Sequence, residues 1–447
     1  MDLGDTHSQR KKIMTKKKYA LGAIGLGHWF VRLYYALKKY DDLLYLAKGV
    51  GVSQLDKNKR KILAECNLSE DDYYVIQSGN ELPKEFLDGT DIVQIASPNE
   101  FHKDQTIQCL KNGKLVIVEK TLATNKKEFN NILNYIRKNN QENKVLVHLH
   151  YLNKMPSRKL MNFIPSVVKK HGKIISAAGT LFEEINAEDI RRGSWLFDPK
   201  NGGIFMDLIH PVEVIMKGTN GKFGKCVSAK HYMTNRKMWE KIIKKKWKKS
   251  FFKKKWSFLF KSLFLKWYLK QDKKAFFKNS EMYPTGAYAK YVVSGPLYAE
   301  GATAAIRVAK GLSHGSDYRG VRLVFEDGAY LDLKFESSYI EKISHKRGSW
   351  RLKKKKDEGK IEIFETEEFT GKLAYEYLIE DVIKLTKGGK PSLSLTDIEN
   401  IFGAVWKFQD KVKNEKILDT KLDLEKFVAK GVERHVDKRA KEKMNPQ

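Results

Sequence analysis

Cysteine is nearly absent: 447 residues contain three, Cys66, Cys109 and Cys226. None belongs to a CxxC pair, and none lies near a histidine at zinc-finger spacing. A disulfide framework and a structural metal are therefore not expected, whereas a reducing, cytoplasmic compartment is. Long apolar runs are missing as well. No window reaches eighteen uninterrupted apolar residues, so no membrane-spanning helix is expected. The opening MDLGDTHSQRKKIMTKKKYALGAIG holds no apolar core long enough for a secretory signal. Residues 1–16 read as a flexible tail, with Met14 just before the first strand pattern. Acids are the third shortage: Asp and Glu total 54 against 85 Lys and Arg, for a formal charge of +31. The apolar content of 41% is ordinary and excludes wholesale disorder, and the length suits two domains or more.

The first 150 residues alternate strand with helix. Tyr19–Ile24 is a short apolar run that ends in Gly25-Leu26-Gly27, and a helical pattern through Val31, Leu33, Tyr34 and Leu37 follows. A second strand ends near 50–53, and a lysine-rich helix covers 57–66. Residues 91–96 read as a third strand, 99–112 as a helix stopped by Asn112-Gly113, and 114–118 as a strand. A helix over 126–139 and a strand over 145–148 complete the series. This alternation over 17–150 predicts an α/β Rossmann domain, a doubly wound parallel sheet whose ligands bind beyond the carboxyl ends of the strands.

In such a sheet, glycines after the first strand allow a tight turn and a close approach of pyrophosphate to the backbone, while the helix amino terminus presents free N–H groups. Gly25-Leu26-Gly27-His28-Trp29-Phe30 keeps two glycines and has Phe30 at the third position. Elsewhere a GxG is commonly a plain turn. Between a first strand and a first helix it points to a dinucleotide, with Gly25, Gly27, His28, Trp29 and Phe30 as candidate cofactor contacts. Where an acid would meet the ribose of NAD stand Ser53 and Gln54, followed by Lys57, Lys59 and Arg60. Neutral side chains beside bases tolerate a 2′-phosphate, which favours NADP over NAD; Asp56 remains an acid able to serve NAD.

Residues 116–121, VIVEKT, place a charged pair at the end of an apolar strand. A solvated turn is the plain reading. The wider run Ala96-Ser97-Pro98-Asn99-Glu100-Phe101-His102, a helix ending at Gly113, and Lys114 to Lys120 resembles the Gfo/Idh/MocA oxidoreductases. Their (T/S)PN..H turn, glycine-ended helix and EKP come in the same order; Thr121 stands where proline is usual. The resemblance covers roughly 17–235 and 290–415. It implies NAD(P)-dependent hydride transfer, with Ser97, Pro98, Asn99, His102 and Glu119 near the cofactor. Lys120 would point into the cleft, polarise a substrate hydroxyl or carbonyl and stabilise a developing alkoxide. Gly202-Gly203-Ile204-Phe205-Met206-Asp207-Leu208-Ile209-His210 resembles the same family's GG…D…H motif, whose histidine accepts the proton in alcohol oxidation. Three residues separate Asp207 from His210, a spacing that shares one helix face, although many members use four. An imidazole with an ordinary pKa of about 6.5 suits this exchange. The plain alternative for His210 is a locally bonded histidine at a helix start.

Arg191-Arg192-Gly193-Ser194-Trp195 leads into that motif, making Arg192 and Trp195 candidate substrate contacts or solvent-facing residues. His150-Tyr151-Leu152-Asn153-Lys154 is similar to the HYLGK stretch of glucose-6-phosphate dehydrogenases, with Leu149 replacing the usual aspartate. In that family the histidine and lysine hold the sugar phosphate, so His150 and Lys154 join the substrate candidates, against an ordinary strand end. Residues 374–381 look like the same family's AYE.LL.D helix.

Strand-like runs at 173–182, 226–234, 303–309, 321–325 and 329–335, with a hairpin turn at Glu326-Asp327-Gly328, predict an α+β domain over 151–420. Its sheet is expected to be mostly antiparallel, closed by helices at 373–385 and 396–412, with a charged tail over 421–447. The resemblance implies a homodimer or tetramer through the open sheet face. A basic and aromatic insertion, expected to be helical, interrupts this domain over 236–285. From Arg236 to Ser280, 17 Lys and Arg stand against Glu240 and Asp272, a net of +15, with four of the eight tryptophans. The run KKKWKKSFFKKKWSFLFKSLFLKWYL fits a helix in an anionic membrane interface, which would place the protein at the inner face of a membrane. It also fits a hairpin packing its aromatics on the sheet and, least well, nucleic acid, since no nucleic-acid module is present.

The sequence thus predicts an NAD(P)-dependent dehydrogenase or reductase, free of metal, acting on a secondary alcohol or carbonyl of a sugar, cyclitol or sugar phosphate. Its rival is a non-catalytic scaffold of the same fold that senses nucleotide or docks on a membrane.

Overall fold

Four buried positions in a row, Ile92–Ile95, form a strand that only a sheet covered on both faces can accept. The computed structural model builds the first third of the chain around it. The structure describes residues 18–51, 54–55, 57–77, 81–184, 203–234, 283–312, 318–336, 346–355 and 361–413.

Six strands make the first sheet: β1 (Tyr19–Ile24), β2 (Leu44–Gly51), β3 (Tyr73–Val75), β4 (Ile92–Ile95), β5 (Leu115–Glu119) and β6 (Val145–His148). Their order is β3-β2-β1-β4-β5-β6, with every pair parallel. The strand order reverses between β1 and β4, which opens a crevice beyond their carboxyl ends. Helices α1 (His28–Leu37), α2 (Lys57–Glu65), α3 (Lys84–Asp88), α4 (His102–Lys111) and α5 (Lys126–Lys138) connect the strands. The stop of α4 uses Gly113 at φ +72°, with Lys114 N–H reaching back to the Cys109 carbonyl. Helix α5 starts under Asn125, whose side chain accepts from Glu128 N–H.

The second sheet has eight strands: β7 (Ile174–Glu184), β8 (Lys222–Thr234), β9 (Tyr283–Ser294), β10 (Tyr298–Leu312), β11 (Tyr318–Phe325), β12 (Tyr330–Phe335), β13 (Lys346–Lys355) and β14 (Ile361–Thr370). The order is β14-β13-β12-β11-β7-β10-β9-β8, antiparallel except for the β7–β10 pair. Helices α6 (Met155–His171), α7 (Ile209–Thr219) and α9 (Leu395–Lys413) pack against it and one another. Val227 and Val292 are exposed on strands β8 and β9, between neighbours such as Tyr291 and Val293 that face the core. Helix α8 (Ala374–Thr386) instead lies on the first sheet, where Tyr375, Leu378, Ile379 and Val382 meet Leu21, Leu33, Ile92 and Ile117.

The α/β plus α+β architecture agrees with the sequence reading; several elements do not. Strand β3 is three residues long, too short for a periodic signal, so the run at 91–96 supplies the fourth strand rather than the third. Helix α6 carries Pro165 within it and hides its own pattern. Strands β13 and β14, KRGSWRLKKK and IEIFETEEFT, are highly charged and pair with each other at the sheet edge. Strand β9 begins at Tyr283, so the insertion ends before 283 rather than at 285. Residues 236–282, the segment 185–202 with Arg192 and Trp195, the tail at 1–16 and residues beyond 413 lie outside the described residues, as do Val52, Ser53 and Asp56. Among the described residues, no helix is long and apolar enough to cross a membrane.

Candidate active site

Strand β1 delivers Gly25 to the crevice at φ +90°. A Cβ there would sit 2.6 Å from the Ala96 carbonyl oxygen, so only glycine lets the loops after β1 and β4 touch. Gly27 is the N-cap of α1; no side chain among the described residues caps it, and a Cβ on it would meet no atom within 4 Å. An uncapped helix start beside an open glycine fits the pyrophosphate of a dinucleotide. Phe30 corrects the sequence reading. Its ring is fully buried among Ala23, Leu26, Tyr34 and Leu63, so it fills the core under α1 and does not line the crevice. Trp29 turns toward β6, with its ring 6.0 Å from that of His150 and the Arg32 guanidinium 4.7 Å over it. The His28 side chain lies outside the described set. At the end of β2, the Lys59 ammonium donates to the Gln54 carbonyl at 2.7 Å.

After β4, Ser97 donates to Gln105 Oε1 at 2.6 Å, and Pro98 precedes a short 3₁₀ turn over Asn99–Phe101. His102 is fully buried; its Nδ1 lies 2.7 Å from the Thr121 carbonyl and its Nε2 2.9 Å from the Ser97 carbonyl. It therefore ties the turn after β4 to that after β5 and has no ring nitrogen left for a cofactor, which corrects its expected role. Burial lowers its pKa, against the two carbonyls and Glu119, which raise it.

The charged pair after β5 divides its labour. Glu119 is buried, with Oε1 accepting from Tyr375 O–H at 3.0 Å and 2.9 Å from His148 Nδ1. Its carboxylate faces α8 and not the crevice, so it is a buttress rather than a cofactor contact. Lys120 points the other way and is joined to Thr121 by a cis peptide. Its Nζ lies 2.5 Å from Asp207 Oδ1. Asp207 sits in the 3₁₀ turn Ile204–Leu208 ahead of α7, and His210 is the second residue of α7, so the two do not share one continuous helix.

Sequence reading missed what holds Asp207. Its Oδ2 lies 2.9 Å from Nζ of Lys310 on β10, and Lys310 is 3.0 Å from Glu183 Oε2 on β7. Arg319 of β11 lies 3.4 Å from Glu183 Oε1 and donates to Tyr151 O–H at 2.9 Å. The Tyr151 ring stands 4.6 Å from that of His210, centroid to centroid. A row of alternating charges therefore runs from Lys120 through Asp207, Lys310 and Glu183 to Arg319 and closes on His210 through Tyr151. Burial pushes the Asp207 carboxyl up, but Lys120 and Lys310 outweigh it and hold it below the usual carboxylate range. Burial likewise opposes the Lys310 charge, yet Asp207 and Glu183 raise its pKa above the ordinary value. His210 is driven well below its ordinary pKa by burial and by Lys120, with Asp207 acting in the other direction. No hydrogen bond joins Asp207 to His210 Nδ1, which has no partner among the described residues. No local pattern flags Lys310, Glu183 or Arg319, since each is a single charge in a strand; only strand pairing brings them together.

The phosphate-binding expectation for 150–154 is corrected. Lys154 is buried and donates to the Glu336 carbonyl at 2.9 Å, with its ammonium 5.3 Å over the Tyr151 ring. His150 is buried too. Burial first, then the charges of Lys154, His148 and Arg32, hold its pKa well below the ordinary value, so it is a neutral ring and no cation for a phosphate.

Residues 21–147 match the family model described as "Oxidoreductase family, NAD-binding Rossmann fold". No curated protein sequence matches significantly. Among solved structures, the aldose-aldose oxidoreductase of Caulobacter crescentus, complexed with glycerol, is 13% identical at TM-score 0.61 and covers 90% of this chain and 99% of its own. The myo-inositol 2-dehydrogenase of Lactobacillus plantarum is 16% identical at TM-score 0.58, covering 91% and 100%. A levoglucosan dehydrogenase in complex with NADH and L-sorbose is 13% identical at TM-score 0.61, covering 89% and 97%. The chain shares the fold of these solved oxidoreductases, and residues 21–147 match the NAD-binding Rossmann domain of the Gfo/Idh/MocA oxidoreductases.

Proposed function

We propose that this chain is an NADP-preferring oxidoreductase that moves a hydride between nicotinamide and a secondary alcohol or carbonyl of a neutral sugar or cyclitol. The observation that carries the reading is that Lys120, at the carboxyl end of β5, meets Asp207 of the 3₁₀ turn that leads into α7 and His210. A bound nicotinamide supplies the hydride acceptor or donor. Gly25 and Gly27 with the start of α1 hold its pyrophosphate. Lys120 hydrogen-bonds the substrate oxygen and stabilises the alkoxide as it forms. His210, neutral at rest, exchanges the hydroxyl proton. The absence of an acid at Ser53 and Gln54, with Lys57, Lys59 and Arg60 following, favours a 2′-phosphate and hence NADP. The solved relatives named for aldoses, myo-inositol and levoglucosan favour a polyhydroxylated substrate. The internal commitment of Lys154 argues for a neutral sugar over a sugar phosphate.

We further infer that the open sheet face pairs subunits and that residues 236–280, with their net +15, rest on an anionic membrane surface from the cytoplasmic side. The test is titration with NADPH and NADH by nucleotide fluorescence, followed by a screen of sugars and cyclitols with wild type and Lys120→Ala. Tighter binding of NADPH, and turnover lost in the variant with nucleotide affinity kept, are expected. Failure to bind either nucleotide would put the non-catalytic scaffold ahead.

A further inference from the structure

Glu213 stands one turn after His210 on the same face of α7. His210 Nδ1 lies 3.6 Å from Glu213 Oε1. Glu213 is fully buried, and its Oε1 accepts from Leu152 N–H at 3.0 Å. Neither His210 Nδ1 nor Glu213 Oε2 has a hydrogen-bond partner among the described residues. A sealed polar atom without a partner costs about 1–3 kcal/mol, so two of them on adjacent groups mark an arrangement that stability alone does not favour. Around the pair stand Lys120 at the end of β5, Asp207 in the 3₁₀ turn, Lys310 on β10, Arg319 on β11, and Tyr151 with His150 after β6. Asp207 is held by Lys120 and Lys310, which leaves Glu213 as the carboxyl that faces the imidazole. Burial pushes the Glu213 carboxyl well above its ordinary pKa, and burial with Lys120 pushes His210 well below its own. Both shifts favour the neutral forms, in which the carboxyl is a donor and Nδ1 an acceptor.

We propose that Glu213 is the positioning partner of His210, setting its tautomer and exchanging a proton with it through Nδ1. The direction of transfer rests on the oxidoreductase reading. In reduction, the hydride bonds to the carbonyl carbon and the C=O π pair becomes an alkoxide. The His210 Nε2–H bond breaks to form the substrate O–H bond, and the Glu213 O–H bond breaks to form Nδ1–H. One proton has then moved from Glu213 to the substrate, and the buried carboxylate regains a proton by the same route, through the His210 ring. Alcohol oxidation runs the same steps backwards.

Full-length protein without nucleotide gives the first readout. Infrared difference spectra between wild type and Glu213→Gln are expected to show a protonated carboxyl band in wild type only. Nitrogen-15 histidine spectra are expected to show His210 Nδ1 unprotonated, with a shift that moves in the variant. An ionised Glu213, or His210 shifts indifferent to the substitution, would overturn the proposal. With NADPH and L-sorbose, or NADP⁺ and myo-inositol, as probes, Glu213→Gln is expected to lower kcat about 100-fold with NADPH affinity within twofold, and Glu213→Asp to restore part of it. Undiminished kcat in Glu213→Gln would also overturn the proposal. The spectral signature without turnover in wild type would sink the oxidoreductase reading and leave the proton-sharing pair standing. Turnover without the signature would do the reverse.

Discussion

The Tyr375 hydroxyl donates to Glu119 Oε1 at 3.0 Å, so a residue from the late helix α8 fixes the carboxylate adjacent in sequence to Lys120. His148 is its second partner. Tyr375→Phe leaves one buried carboxylate oxygen with a single neighbour, at a cost of about 1–3 kcal/mol. A fall of that size in denaturant unfolding is expected, together with reduced kcat through a less rigid Lys120. An unchanged midpoint would show that Glu119 depends on His148 alone.

Gly25 and Gly27 should differ in what an added methyl costs the fold. Gly25→Ala puts a Cβ against the Ala96 backbone at φ +90°, so loss of both stability and nucleotide binding is expected. Gly27→Ala places a Cβ with no atom within 4 Å, so the fold should lose only about 1 kcal/mol while NADPH binding weakens at least tenfold. Thermal unfolding and nucleotide fluorescence on the two variants check the contrast. Equal effects would remove the pyrophosphate from this loop.

Lys310 bridges two carboxylates, and each keeps another cation without it: Lys120 for Asp207, Arg319 for Glu183. Lys310→Met should therefore destabilise the protein less than Asp207→Asn. The latter leaves Lys120 without its carboxylate and half of the Lys310 charge unmatched, on the order of 3 kcal/mol. Chemical denaturation ranks the two, and the reverse order would mean that the row is held from its Lys310 end.

Acid should unfold the chain partly through His150. Its folded pKa lies well below the ordinary value, so under acid the unfolded state takes up a proton that the folded state refuses. More protons bound by the unfolded state means stability rises with pH; on acidification it is lost from about pH 6.5 downward, by roughly 1.4 kcal/mol per unit at full slope. His150→Asn is expected to remove about one proton from that slope between about pH 5 and 6. Glu213, raised in the fold, acts with the opposite sign above about pH 4.3 and makes the wild-type slope shallower than its buried histidines alone would give. Unfolding free energies across this range decide, and an unaltered slope in the variant would mean that His150 is protonated in the fold.

How much of this was readable in sequence depended on whether a signal was local. β1 and β6 announce themselves through apolar runs, and Lys120, Asp207 and His210 through their resemblance to family motifs. Tyr73–Val75 is too brief for any period, Pro165 breaks the pattern of α6, and the charges of β13 and β14 hide two strands at the edge of the sheet. Lys310 and Arg319 could not be found from sequence, because what gives them meaning is their position across β10, β7 and β11. Glu213 had a visible cue in the His-x-x-Glu spacing, yet its burial and its contact with Nδ1 exist only once α7 packs. Phe30 and Lys154 misled for the same reason in reverse: their motif positions suggested ligands, and packing turned both inward.

The placement of α8 bears on how the molecule is made. Leu21, Ile92 and Ile117 of the first sheet find their cover in residues 374–386, near the other end of the described chain. During synthesis the first 150 residues emerge and wait, with part of an oily flank bare, while more than two hundred residues follow them out of the ribosome. The fragment 1–150 is thus an unfinished domain, and one prone to aggregation when expressed by itself.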